Sequence, residues 1–192
     1  MTHVKALLAH SIETVKVTAS QADLDSLVRP AGFKRNGVHS LMKNLLVIYH
    51  SQSGNTKMLA QTVFNGCQRE TAVSTKLVRA FDAGLEDLIW ADGLLFGTPE
   101  NFGTMSGALK DFFDRTYYPA ELYKLNLPYA IFISAENDGT GAVRDIDRIA
   151  KGYPLRKIAE PLIANGELCA EHIDQSQDFG QAMAAGLALG IF

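Results

Sequence analysis

Cysteine is scarce in this chain and badly placed for chemistry. Two residues, Cys67 and Cys169, stand far apart among 192. They form no Cys-x-x-Cys pair and no metal-ligand spacing, which excludes a thioredoxin-type redox motif and a cysteine zinc site. Both read as reduced, partly buried, small apolar residues. The five histidines (His3, His10, His39, His50 and His172) show no helical or zinc-type spacing, so no metal is expected. Long apolar runs are missing too. No stretch approaches the roughly 18 residues that span a bilayer, and Ala6-Leu7-Leu8-Ala9 is too short for the core of a secretory signal. A cytoplasmic location, with no membrane partner, is the expectation. Positive charge is also in short supply. The net charge is −3, and residues 43–192 carry 13 basic against 18 acidic side chains. Nucleic-acid binding calls for a basic face and is not expected.

What the chain does have is an ordinary globular composition, 47% hydrophobic and 20% charged, enough for one domain and an appendage. Residues 1–42 differ from the rest, with five basic and three acidic residues. Val4, Leu7, Leu8, Ile12 and Val15 fit one helical face, and Ser20 suits the cap of a short helix carrying Leu24, Leu27 and Val28. We therefore divide the chain into an N-terminal extension, 1–42, helical or poorly ordered and with no assigned role, and a domain over 43–192. Met42-Lys43-Asn44-Leu45 reads as the start of a domain. Residues 1–41 are expected to be dispensable, an over-extended translation start. The alternative is an amphipathic hairpin packed on the domain or on a partner. Expression from Met42 separates the two, since loss of folding or of ligand binding would sink the first.

From Lys43 onward, strands and helices alternate. Apolar runs at 45–49, 73–78, 93–97 and 128–133, with a weaker one over 157–164, read as five strands. Helical spacing follows at about 54–70, around Leu85–Ile89, at 105–118, at 140–152 and at 174–189. Such alternation specifies a parallel sheet with helices on both faces. Ligands of such sheets sit beyond the carboxyl ends of the strands. The loops after the first, third and fourth strands are therefore the ones to read.

The first loop is Ser51-Gln52-Ser53-Gly54-Asn55-Thr56, between a buried strand and a helix start. Free N–H groups of the first helical turn, the helix dipole and three hydroxyls gather donors around one point, while Gly54 lets backbone approach a ligand. The site suits a phosphate monoester. No G-x-x-x-x-G-K-[ST] and no G-x-G-x-x-G is present, so neither a nucleotide-hydrolase loop nor a dinucleotide loop is indicated. Plain helix-capping chemistry would explain the same residues. The loop resembles the FMN phosphate loop of the flavodoxin superfamily, S/T-x-S/T-G-N-T.

The second loop, Gly97-Thr98-Pro99-Glu100-Asn101-Phe102-Gly103-Thr104-Met105-Ser106-Gly107, resembles the flavin loop of the flavodoxin-type NAD(P)H:quinone oxidoreductases, G-T-P-x-x-F/Y-G-x-M-S-G. In that picture its backbone N–H groups face the flavin edge where charge collects, and Phe102 offers a face for the ring. The third loop, Ser134-Ala135-Glu136-Asn137-Asp138-Gly139-Thr140-Gly141, resembles the family pattern more loosely, and its Asp138-Gly139 is also an ordinary turn. Receiver domains share this architecture but need an acidic pair after the first strand and an Asp ending the third. Tyr49-His50-Ser51 and Gly97-Thr98 do not supply them.

The resemblance covers about residues 44–192. It implies a flavodoxin-like three-layer α/β sandwich with a five-stranded parallel sheet in the order 2-1-3-4-5. It also implies non-covalent FMN held by Ser51, Gln52, Ser53, Gly54, Asn55, Thr56, Thr98, Pro99, Glu100, Asn101, Phe102, Gly103, Ser134, Ala135 and Gly139. No side chain is assigned as catalytic. NAD(P)H would reduce FMN, NAD(P)⁺ would leave, and a quinone or similar small acceptor would then take its place. Glu100 near the ring would lower the reduction potential; a solvated loop carboxylate is the plain alternative. A one-electron carrier of the flavodoxin type and a non-enzymatic binding module on the same fold both stay open. The third loop lacks the aromatic that flavodoxins place there. The long insertion that the oxidoreductases carry after the fourth strand is missing, which puts tetramers in doubt and leaves a homodimer open. Tyr117-Tyr118 either line a shared pocket or form a packed helix end. Lys110, Arg115 and Arg144 either attract a nicotinamide phosphate or are solvated helix charges.

Overall fold

This computed structural model describes residues 42–192. The two amphipathic stretches expected before Pro30, and their dispensability, lie outside the described residues. In chain order the elements are β1 (Lys43–Tyr49), α1 (Asn55–Cys67), β2 (Val73–Arg79), α2 (Leu85–Trp90), β3 (Gly93–Asn101), β4 (Thr104–Met105), α3 (Gly107–Glu121), β5 (Pro128–Ala135), α4 (Thr140–Ala150), β6 (Arg156–Lys157), β7 (Leu162–Asn165) and α5 (Ala170–Ala188).

The strands run β2-β1-β3-β5, all parallel, with β6 and β7 both lying against β5. The expected order therefore holds, but the expected count of five strands does not. The fifth position is filled by two short segments. β6 pairs with Pro128 and Tyr129, β7 with Phe132 to Ala135, and Pro161, which has no N–H to give a ladder, lies in the interruption between them. A further segment, β4, pairs antiparallel with the end of β3, because the chain turns back at Phe102-Gly103.

Both faces of the sheet are covered. Alternate residues of one strand point to opposite sides, so Leu46, Ile48, Leu94, Phe96 and Ile131 pack with Leu88 of α2, Phe112 and Phe113 of α3 and Ile146 of α4. Leu45, Val47, Leu95 and Phe132 pack with Leu59 and Val63 of α1 and Met183 and Leu187 of α5. This three-layer α/β arrangement explains why the strands read as continuous apolar runs. All eight residues of β5 are buried.

The register brings the three loops together. Tyr49 lies opposite Gly97, and Pro99 lies opposite Ser134. The N–H of His50 donates to the Gly97 carbonyl at 3.0 Å. The loops after β1, β3 and β5 thus leave neighbouring strand ends.

Candidate functional site

The first loop forms a donor cradle. Gly54 has φ 112°, a left-handed conformation that side-chain-bearing residues rarely adopt, and nothing lies within 4 Å of the place a Cβ would occupy. Ser51 Oγ accepts from the Gly54 N–H at 3.1 Å, which leaves the Ser51 proton free to donate. Gly54 caps α1 by its backbone alone, and among the described residues no side chain accepts from the first turn of the helix. Gln52 and Ser53 are exposed beside it. The loop therefore offers several unanswered N–H groups, a free hydroxyl proton and the positive end of a 13-residue helix, a donor set that fits a phosphate. Thr56 is the exception among the expected hydroxyls. It is buried, and its Oγ1 lies 2.7 Å from Ser134 Oγ, so it ties the cradle to the end of β5.

The second loop is a hairpin. Glu100 pairs with Met105 and Asn101 with Thr104, and the two-residue turn has φ 53° at Phe102 and 72° at Gly103. The Thr98 side chain is buried within the loop itself: its hydroxyl donates to the Pro99 carbonyl and accepts from the Ser106 N–H, both at 2.9 Å. Ser106 Oγ in turn accepts from Leu109 N–H at 3.3 Å, so α3 starts at Gly107 and not at the expected 105.

Glu100 is not a freely solvated carboxylate. Its Oε1 accepts from the N–H groups of Gly141 and Ala142 at 2.9 and 3.2 Å, capping the start of α4. Two more contacts brace the hairpin there. The Thr104 hydroxyl donates to Asp145, and the Gly103 carbonyl lies against Gly141, where an added Cβ would come within 2.0 Å of its oxygen. Asp145 titrates below the ordinary carboxylate range, because of the Thr104 hydrogen bond first and of Arg144 second. Braced this way, the turn leaves Phe102 fully exposed, with Asn101 and Phe102 on the wall of a cleft between α3 and α4.

The third loop follows β5. Ala135 is buried and its carbonyl accepts from Gly166 N–H at 2.8 Å. Asp138 Oδ1 accepts from the N–H and hydroxyl of Thr140, which lowers its pKa. Gly139, at φ 70°, is the N-cap of α4. Ser51 to Thr56, Thr98, Pro99 and Ser134 are thus gathered at adjoining strand ends, whereas Glu100, Gly103 and Gly139 meet at the start of α4.

Other expected residues resolve into structure. Lys110 pairs with Asp114, Arg115 with Asp111 and the carbonyls of Ala80 and Ala83, and Arg144 with Asp145. Tyr117 packs edge-on against Tyr153 with ring centres 5.2 Å apart, while Tyr118 is exposed. One neighbour of the cradle escaped the sequence reading. His50 meets Phe81, from the loop after β2, edge to face at 5.6 Å, and burial and then Arg79 depress its pKa. No short motif signals this pair. Among the described residues no helix is long and apolar enough to cross a membrane.

A family model described as NADPH-dependent FMN reductase matches residues 79–147, the segment that holds the second and third loops. A flavodoxin of Aquifex aeolicus is 41% identical over 73 residues, 38% of this chain and 40% of its own length. An NAD(P)H dehydrogenase (quinone) of Acidithiobacillus ferrooxidans is 30% identical over 95 residues, 39% of this chain and 48% of its own. The matched part thus spans under half the length of these curated relatives. In structure, a flavodoxin from the domain Archaea matches with a TM-score of 0.63 at 21% identity, over 75% of this chain and 98% of that one. A flavodoxin, WrbA-like protein from Agrobacterium tumefaciens matches with a TM-score of 0.63 at 18% identity, over 77% and 98%.

Proposed function

We propose that this flavodoxin-like protein binds FMN non-covalently at the carboxyl ends of β1, β3 and β5, and that it passes reducing equivalents from NAD(P)H to a quinone or similar small acceptor. The observation that carries this reading is the first turn of α1, whose N–H groups no described side chain accepts and whose Gly54 opens onto free space. The match of residues 79–147 to the NADPH-dependent FMN reductase model supports it. Bound FMN would supply the hydride and electron chemistry.

The residues would divide the work as follows. The backbone of Ser53 to Lys57 and the Ser51 hydroxyl hold the phosphate dianion. The Thr56–Ser134 bond fixes the start of α1 against β5, so the phosphate end and the loop after β5 keep one spacing. The strand end at Thr98–Pro99, stiffened by the Thr98 hydroxyl bonds, orients the backbone of the second loop. Glu100 accepts from the first N–H groups of α4, which anchors the second loop to that helix. Orientation and backbone donors, not a general base, are what this site provides.

A second reading is a flavodoxin-type electron carrier, favoured by the 41% identity to a flavodoxin. One experiment separates the readings. A purified protein that stays colourless with added FMN overturns both. If it is yellow, anaerobic mixing with NADPH decides: bleaching supports the reductase, and an unchanged spectrum supports the carrier.

A further inference from the structure

We propose that the cleft between α3 and α4 is a second binding site, separate from the α1 cradle, for a planar aromatic molecule that carries one acidic group. The proposal does not rest on the FMN reading. The cleft is open on one side and holds about 650 Å³, within the range of small-molecule sites. Phe102 and Met105 of the hairpin and Ile149 of α4 supply its apolar walls. None of Ser51 to Thr56, and not Ser134, lines it.

Phe102 points to a ligand. Its side chain is 106% exposed and its backbone holds φ 53°. In the free protein the ring gains no burial, and the turn position favours Asn or Gly over a bulky aromatic. A strained residue persists where its surroundings fix it, and such residues cluster at ligand sites. Here Glu100, Thr104 and Gly103 fix it, by their contacts with Gly141, Ala142 and Asp145. The result is a rigid turn presenting a bare aromatic ring to a concave surface.

The charges set the ligand's sign. Lys110 of α3 and Arg148 of α4 line the cleft, and both also line an adjoining cavity of about 270 Å³ toward Tyr117 and Gly152. They therefore stand at the waist between the two chambers. The two carboxylates nearby are already engaged, Asp145 by Thr104 and Arg144, and Asp114 by Lys110. Arg148 makes no hydrogen bond or close ion pair to another described residue, although its charge helps hold the Asp145 carboxyl low. The lining of the cleft sets two basic side chains, Lys110 and Arg148, against one acidic, Asp145, so its surplus charge is positive. A flat ring fits between Phe102, Met105 and Ile149, with its acid at the waist beside Arg148.

The test uses the full-length protein, methyl-labelled for NMR, with 2-naphthoate and its neutral counterpart 2-naphthylmethanol as probes. Naphthoate should shift the Met105 and Ile149 methyl signals and bind about tenfold more tightly than the alcohol, the scale of one charge-assisted contact. Arg148→Gln should bring naphthoate down to the alcohol's affinity and leave the alcohol's unchanged. Phe102→Asn suits the left-handed turn, so the hairpin survives while both probes weaken. No methyl shift at millimolar naphthoate would overturn the proposal, as would equal affinity for the two probes. Displacement of naphthoate by excess FMN, or shifts at Ser53 and Gly54 in place of the cleft, would make this part of the cradle. Sedimentation showing a dimer that shields Met105 and Ile149 would assign the cleft to a second copy of the chain.

Discussion

The hydroxyls of Thr56 and Ser134, 78 residues apart in sequence, form a buried hydrogen bond 2.7 Å long. It is a direct side-chain link between the helix start that would hold a phosphate and the end of the strand that leads into the third loop. One proton serves the bond, and the accepting hydroxyl keeps its own.

Thr56→Val leaves Ser134 without its partner in a buried place and should cost about 1–2 kcal/mol. Adding Ser134→Ala removes the stranded group, so the double variant should recover part of the loss. Urea unfolding of the single and double variants measures this. Additive losses would mean that the bond contributes nothing.

At Gly54 the space beside the backbone is open, so the cost of a side chain is conformational. Gly54→Ala should destabilise by about 1–2 kcal/mol through the left-handed backbone alone, a shift of some 2–4 °C per kcal/mol for a domain of this size. Its methyl group also stands where the cradle is open. Flavin titration should therefore show a larger loss of affinity than the melting shift alone accounts for. Unchanged FMN affinity would place the phosphate elsewhere.

Two substitutions probe the brace between hairpin and α4. Gly141→Ala drives a methyl to within 2.0 Å of the Gly103 carbonyl oxygen, an overpacking that should cost about 1–3 kcal/mol. Glu100→Ala removes the acceptor of two N–H groups and should cost about 1 kcal/mol, with Glu100→Gln milder. Amide exchange at Gly141 and Ala142 should accelerate in Glu100→Ala. Unchanged exchange would show that water replaces the carboxylate without loss.

The same brace predicts a pH dependence. Thr104 and Arg144 hold Asp145 below its ordinary pKa. A carboxylate with a lowered folded-state pKa contributes stability above its unfolded pKa and loses it as pH falls through the folded value. The stability gap between the natural chain and Asp145→Asn should therefore be widest at neutral pH. It should close below about pH 4, where the unfolded carboxyl is protonated. Thermal melts from pH 7 to pH 3 read the gap directly. A gap that widens with acid reverses the assignment.

How much of this was legible beforehand follows from the range of the forces involved. Leu45 to Tyr49 and Pro128 to Ile133 declared buried strands, because burial on both faces leaves no polar position. Ser106 is good cap chemistry, yet the apolar spacing from Met105 set the expected start of α3 ahead of it. The Phe102-Gly103 turn did not announce itself, since the usual two-residue turn begins with Asn, Asp or Gly. Its geometry is fixed from α4, some forty residues on, by Glu100 and Thr104 reaching Gly141 and Asp145. The Thr56–Ser134 bond is likewise a product of strand order and is invisible to any local pattern. The break between β6 and β7 was readable in Pro161, but a weak apolar run over 157–164 outweighed it.

That break has a consequence for how copies of the chain meet. Unpaired strand edges invite another chain to add a strand, and long flat edges are the hazard. One border of this sheet is made of segments of two and four residues, with a proline between them. The other, β2, is longer but exposes Lys76 and Arg79, and basic side chains repel a like edge. Among the described residues neither border offers an unbroken neutral ribbon: one is interrupted, and the other carries Arg79 and a Lys76 that also reaches Asp87 and the Trp90 ring.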